Sequence, residues 1–190
     1  MLKKIDALAS LLQELKNSIE FQSSIESARK SIIESIENSG TILICGNGGS
    51  ATQASHMTGE FVGRFAFDRP ALPAISLFDL ATTTAIGNDY GYDAIFSRFV
   101  DGIGKSQDIL FSLSTSGNSK NCLEAITSAK KKSIKTISLL GKDGGIMKTE
   151  SDISIVIPNP STPLIQEMHL IVIHYLCEEI EKYFFNPLKE

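Results

Sequence analysis

His56 and Glu60 stand four residues apart in a stretch that reads as helix, so their side chains share one face. An imidazole and a carboxylate placed this way can hold a metal ion or act as a proton-transfer pair. They follow Gly46-Asn47-Gly48-Gly49-Ser50, which follows the β-branched apolar run Thr41-Ile42-Leu43-Ile44-Cys45. Strand, glycine turn and helix in that order aim backbone N–H groups and a helix N-terminus at an anion. The glycine spacing is neither G-x-G-x-x-G nor G-x-x-x-x-G-K-[ST], so the common nucleotide motifs do not apply. Alone, such a turn is an ordinary exit from a strand, and such a His–Glu pair is a solvated helix pair.

A second cluster changes that balance. Ser114-Thr115-Ser116-Gly117-Asn118-Ser119 carries four hydroxyl residues after one apolar run and before an amphipathic one. One hydroxyl serves as an N-cap. Four, with the free N–H groups of a helix start, suit a phosphate. No P-loop lysine accompanies them, which points to a sugar phosphate rather than a nucleoside triphosphate. Gly117 and Asn118 read as turn residues. Late in the chain, His174 lies in an apolar helical segment that also holds Gln166, eight residues earlier. A lone histidine there is ordinarily a hydrogen-bonded core residue; beside a phosphate loop and a His–Glu pair it becomes a candidate acid or ligand. His169 has no evident partner and reads as structural. Lys130-Lys131-Lys132 reads as a solvated helix end complementing the helix dipole.

The elements that carry these residues follow from periodicity. Ile5, Leu8, Leu11, Leu12, Leu15 and Ile19, then Ile25, Ala28, Ile32, Ile33 and Ile36, predict two helices over roughly residues 3–37, stopped by Asn38-Ser39-Gly40. Their apolar faces need a cover, and a neighbouring subunit would supply one. From Thr41 onward strands and helices alternate. Strands are expected at 41–45, 71–77, 108–113, 134–140 and 153–157, with Pro73 marking an edge. Helices are expected after the first turn, at 82–88, 92–101 and 123–132, and from Pro163 to about Phe184. Gly141-Lys142-Asp143-Gly144-Gly145 turns after the fourth strand. The expected fold is α/β: a three-layer αβα sandwich around a five-stranded parallel sheet, preceded by N-terminal helices and forming one domain over residues 1–190. Ligands of such sheets bind beyond the carboxyl ends of the strands.

The chain has 190 residues, 18 basic and 22 acidic, for a net charge of −4. That balance argues against a general nucleic-acid surface. Cys45, Cys122 and Cys177 are far apart and in apolar or helical contexts, as buried reduced thiols would be. The N-terminus has helical spacing broken by Asp6, Gln13, Glu14 and Lys16, unlike a signal peptide. The longest apolar stretch, Leu164 to Cys177, is interrupted by Gln166, Glu167, His169 and His174, so no membrane span is expected. The expected location is cytoplasmic.

The two strand-end loops resemble the sugar isomerase (SIS) family, whose mark is a Ser-Thr-Ser-Gly-Asn-Ser type loop after a parallel strand. Within it the match narrows to the phosphoheptose isomerases. Cys45 to Ala51, His56 with Glu60, Phe61 to Phe65, Leu72 to Ile75, Thr84 to Tyr92, Gly141 to Gly145 and Gln166 to His169 followed by His174 carry that likeness, in order. The resemblance implies a flavodoxin-like SIS fold, a homotetramer, and an aldose–ketose isomerase acting on sedoheptulose 7-phosphate. It implies substrate contacts at Asn47, Gly48, Gly49, Ser50, Arg64, Asn88, Asp89, Ser114, Thr115, Ser116, Ser119 and Gln166. It implies zinc at His56, Glu60, Gln166 and His174, with Glu60 as base and His174 as acid. A carboxylate bound to zinc is a weaker base, so the two roles of Glu60 compete. Phe78-Asp79-Leu80-Ala81 departs from the family's Thr-Asp-Thr-Ser type run, though Asp79 is retained.

Two rivals come from related proteins. SIS proteins of this size that bind the bacterial replication initiator usually have Arg after the Ser-Thr pair and lack the late histidine. This chain has Ser116 and His174. Sugar-phosphate-sensing regulators usually carry an additional DNA-binding domain, for which the length leaves no room.

Overall fold

The computed structural model describes residues 1–185; residues 186–190 lie outside it. Helices α1 (Leu2–Asn17) and α2 (Ile19–Glu37) come first, and the Ser18 hydroxyl between them accepts from the Phe21 amide to cap α2. The rest alternates: β1 (Ile42–Gly46), α3 (Gly49–Val62), β2 (Ala74–Ser76), α4 (Leu80–Tyr90), a 3-10 turn (Tyr92–Ala94), α5 (Ile95–Ile103), β3 (Ile109–Ser114), α6 (Lys120–Lys131), β4 (Lys135–Gly141), α7 (Gly145–Glu150), β5 (Ile153–Ile157) and α8 (Thr162–Phe185). The five strands form one all-parallel sheet in the order β2-β1-β3-β4-β5.

Side chains alternate across each strand, and the two resulting apolar sets bury against different helices. Ile42, Ile44, Phe111, Leu113, Ile137 and Leu139 pack with α2, α3 and α8 on one face. Leu43, Cys45, Leu110 and Leu140 pack with α4, α5, α6 and α7 on the other. Helix α1 lies outside both, with Leu11 and Leu15 over Ile157, Ile165 and Met168. Cys45, Cys122 and Cys177 are buried and free. Among the described residues no helix is long and apolar enough to cross a membrane.

Local differences from the sequence expectation have simple causes. The second strand is cut to three residues at the sheet edge. Pro73 has no N–H to give, and the Leu72 amide turns to the Phe61 carbonyl instead of joining the ladder, while the Pro73 carbonyl still accepts from Ile42. Helix α4 runs on through Asn88 and Asp89 to Tyr90 before Gly91 turns the chain at φ 88°. Asp79 caps it by accepting from the Thr82 amide, so the departure at Phe78 and Leu80 leaves the cap intact. Helix α7 is an element that the glycine-rich turn after β4 did not announce.

The strand order reverses between β1 and β3. β1 leads outward to β2, and β3 then returns to lie on the other side of β1. Gly46 pairs with Leu113, so the loops that start at Asn47 and Ser114 leave the sheet next to each other. In an open α/β sheet that crevice is where ligands bind.

Candidate active site

Helices α3 and α8 lie side by side on one face of the sheet and run in the same direction. Gln53 donates from its side chain to the Gln166 carbonyl at 2.7 Å, and further along His56 Nε2 faces His174 Nε2 at 2.9 Å. His56 Nε2 also lies 3.2 Å from Glu60 Oε1, one turn on along α3. One ligand atom from each of His56, Glu60 and His174 falls within 4.8 Å of the others. The two imidazoles are tilted by 52°, with Phe65 stacked obliquely on His174 at 5.6 Å between centroids. Across this contact one ring nitrogen donates and the other accepts.

The donor set fits a metal ion. Two imidazoles and a carboxylate are a common zinc set that leaves a fourth position open. Donors about 2.0–2.1 Å from one tetrahedral ion sit roughly 3.3 Å apart, near the spacings found here. Gln166, the fourth expected ligand, has its amide against Gly49, about two turns of α3 before His56; a Cβ at Gly49 would run into the Gln166 amide nitrogen. Helix α8 is continuous from Thr162 to Phe185, so no break brings Gln166 toward His174.

The hydroxyl-rich loop sits at the end of β3. Ser114 Oγ lies 3.0 Å from Ser119 Oγ and 3.4 Å from Ser116 Oγ, and it accepts from the Gly117 amide. Ser119 occupies the N-cap of α6 yet makes no side-chain capping bond. Its hydroxyl is turned into the loop; the Cys122 amide donates to Asn121 Oδ1, and the amides of Lys120 and Asn121 stay available to an anion. Gly117 bends the loop at φ 66°, where any Cβ would collide with the Gly144 carbonyl.

At the end of β1, Asn47 is held from two sides. Its amide exchanges hydrogen bonds with Asn121, 2.8 Å each way, and its Oδ1 accepts from Tyr92 Oη at 2.8 Å. Asn121 is buried in the first turn of α6, so one amide pair joins the two strand-end loops. Gly48 caps α3 with φ 56° and open space where a side chain would stand. Ser50 is buried against Gly46. Asn88 and Asp89 are exposed in the last turn of α4, joined by a 2.8 Å hydrogen bond. Arg64 is exposed just past α3 and forms no ion pair among the described residues.

The residues not foreseen from sequence are Asn121, Tyr92, Arg69 and Glu181. Asn121 was detectable as a polar residue on the mostly apolar buried face of α6 (Cys122, Ala125, Ile126), which Ser128 also joins. Glu181 stands seven residues after His174, on the same face of α8. Burial works to raise its pKa, but the amides of Ala66 and Phe65 and the guanidinium of Arg69 outweigh that and hold it below the usual carboxylate range. His169, read as structural, is fully buried with both ring nitrogens unpartnered. Burial pushes its pKa down to about 4, with the Leu140 backbone a weaker opposing influence.

The chain is similar to known proteins in both sequence and fold. The SIS domain model matches residues 5–141. Phosphoheptose isomerase of Helicobacter pylori (strain P12) is 49% identical over 174 residues, covering 90% of this chain and 91% of that one. Phosphoheptose isomerase of Sulfurimonas denitrificans is 44% identical over 186 residues, covering 97% and 94%. The structure of a phosphoheptose isomerase from Francisella tularensis superposes with a TM-score of 0.90 at 36% identity, over 95% of each chain. Similarity in sequence over nine-tenths of the chain and a common fold thus coincide, and the chain belongs to the phosphoheptose isomerases of the SIS domain family.

Proposed function

We propose that this chain converts sedoheptulose 7-phosphate to D-glycero-D-manno-heptose 7-phosphate, the first step toward bacterial nucleotide-activated heptose. The observation that carries the reading is the His56–Glu60–His174 cluster on helices that flank the strand-end crevice holding the hydroxyl-rich loop. The loop binds the phosphate of the substrate through Ser114, Thr115, Ser116, Ser119 and the free amides of α6. Asn47, Gly48, Gly49, Ser50, Arg64, Asn88, Asp89 and Gln166 contact the sugar chain.

The chemistry is a proton relay. Glu60 takes a proton from C1 of the ketose while His174 gives one to the oxygen on C2, which yields an enediol. Glu60 then returns its proton to C2, and the hydroxyl on C1 gives its own back to His174 to leave the aldehyde. Each transfer needs the group within hydrogen-bond reach, and the 3.2 Å and 2.9 Å separations around His56 keep Glu60 and His174 in one cluster. His56, Glu60 and His174, with Gln166, are the residues that would hold zinc. When bound, zinc supplies a positive charge that polarises the substrate carbonyl and stabilises developing negative charge.

The whole chain acts as one SIS domain in a cytoplasmic homotetramer. Supporting this is an apolar groove between α1, α2 and α8, lined by Leu12, Phe21, Ile25, Met168, Ile171 and Tyr175, which a second copy would cover. The test is direct. Purified protein is given sedoheptulose 7-phosphate with and without a chelator, and the product is identified. Formation of the aldose, lost on chelation and restored by zinc, is the expected result; no aldose under any metal condition would overturn the reading.

A further inference from the structure

Arg69 and Glu181 form an ion pair in the interior. Arg69 Nε lies 2.9 Å from Glu181 Oε1, and the two side chains are 2% and 0% exposed. Most of the rest of the guanidinium goes to the end of α3: Nη2 donates to the Glu60 carbonyl at 2.7 Å, and Nη1 to the carbonyls of Phe61 and Gly63 at 2.6 and 3.3 Å, with a further bond from Nη1 to the Pro70 carbonyl at 3.0 Å. Those at the end of α3 are carbonyls that a helix end leaves without partners. The Glu181 carboxylate accepts from the amides of Phe65 and Ala66 at 3.0 and 2.8 Å. Phe65 in turn lays its ring on His174.

Every element that supplies the His56–Glu60–His174 cluster is therefore tied at one point. Helix α3 is held by its last carbonyls, Glu60's own among them. Helix α8 is held through Glu181, two turns beyond His174. The loop that follows α3 is held by the amides of Phe65 and Ala66. A buried ion pair is a poor source of stability, because desolvating both charges offsets their attraction, and well-packed apolar residues often replace it without loss. What a planar, five-donor guanidinium supplies that an apolar pair does not is fixed direction.

We propose that Arg69 and Glu181 are positioning residues for the His56–Glu60–His174 cluster, setting the separation of Glu60 from His174 and thereby metal affinity and turnover. This rests on the reading of the cluster as the metal-holding, reacting end of the site. Outer residues that orient metal ligands typically change metal affinity 10- to 100-fold when replaced.

The test uses the full-length protein, stripped and reloaded with Co(II) as a spectroscopic probe. The double variant Arg69→Met/Glu181→Leu keeps the buried volume and leaves no unpaired charge. Its thermal midpoint without metal is expected to fall modestly, because the amides of Phe65 and Ala66 and the carbonyls of Glu60 and Phe61 lose these partners. Its Co(II) affinity, read by chelator competition, is expected to fall at least about tenfold. Its visible Co(II) spectrum should change and kcat should drop, while KM for the sugar phosphate stays within about threefold because the hydroxyl loop on β3 is untouched. Phe65→Leu keeps the backbone amide bound to Glu181 and an apolar side chain against the core, removes the ring from His174, and should alter the Co(II) spectrum and kcat in the same direction by a smaller factor. It also decides the matter if the double variant does not fold. Wild-type Co(II) affinity, spectrum and kcat in the folded double variant, or in Phe65→Leu where the double variant is unfolded, would overturn the positioning role. If wild-type protein binds no Co(II) and His56→Ala retains full turnover, the cluster reading itself falls and takes this proposal with it.

Discussion

Gln166 and His174 stand eight residues apart on one unbroken helix, and each meets α3 at a different level: Gln166 at Gly49, His174 at His56. At about 1.5 Å of rise per residue the two are separated by roughly 12 Å along α8. Metal–ligand bonds of about 2 Å do not bridge that gap from one straight helix. If both serve one ion, Gln166 comes from a neighbouring subunit. Mixed oligomers of Gln166→Ala and His174→Ala chains, each inactive alone, are then expected to recover up to roughly a quarter of wild-type activity, the share of sites drawing an intact residue from each parent. Proven mixed oligomers with no recovery would assign a complete site to each chain.

Replacing Glu60 by glutamine keeps the size of the side chain and removes its basicity. We expect kcat to fall about 10²- to 10⁴-fold while calorimetry shows sugar-phosphate affinity changed only a few-fold, since the hydroxyl loop is intact. Turnover within a few-fold of wild type would remove Glu60 from the role of base.

The Ser119 hydroxyl faces Ser114 rather than capping α6. Ser119→Ala is therefore expected to cost under about 0.5 kcal/mol in denaturant unfolding, less than a lost cap, yet to raise KM about tenfold or more through a lost charge-assisted bond to phosphate. Ser116→Arg tests the same loop from the other side. Its guanidinium should fill the phosphate position, leaving the fold intact and sugar-phosphate binding weak by calorimetry. Undiminished affinity in both variants would place the phosphate elsewhere.

His169 makes stability depend on pH. Its folded pKa of about 4 lies below the unfolded value of about 6.5. The unfolded chain thus binds more protons between those values, and stability is full above pH 6.5 and lost as pH falls toward 4. The loss is about 3 kcal/mol across that window. Glu181 adds to it at lower pH: its folded pKa is depressed, so its contribution is present above the ordinary carboxylate pKa and disappears as pH falls through the folded value. Urea unfolding at pH 7 and pH 4.5 should show the window in wild type and a flattened dependence in His169→Leu. An equal pH dependence in both proteins would move the effect to another group.

How much of this was legible in the sequence depended on the range of the interaction involved. Periods of 3.6 and 2 in apolar residues come from local backbone geometry, so the two N-terminal helices, the five strands and the long last helix could be placed from sequence, and the alternation of strand and helix implied the parallel sheet. The Ser114–Ser119 loop and the His56–Glu60 pair were visible because each is a short run whose members must be close. Resemblance added His174 and Gln166 to that list.

Tertiary structure decided what joins residues far apart in the chain. That His174 reaches His56 across 118 positions, that Asn121 holds Asn47 across 74, and that Glu181 clamps Arg69 across 112 leaves no periodic trace. Those contacts exist because α3 and α8 share one face of the sheet and because β1 and β3 are neighbours, and the strand order that makes them so is set by packing of the whole chain. The shortening of β2 has the same origin: the Leu72 amide found its acceptor at the end of α3, eleven residues back, rather than in the sheet.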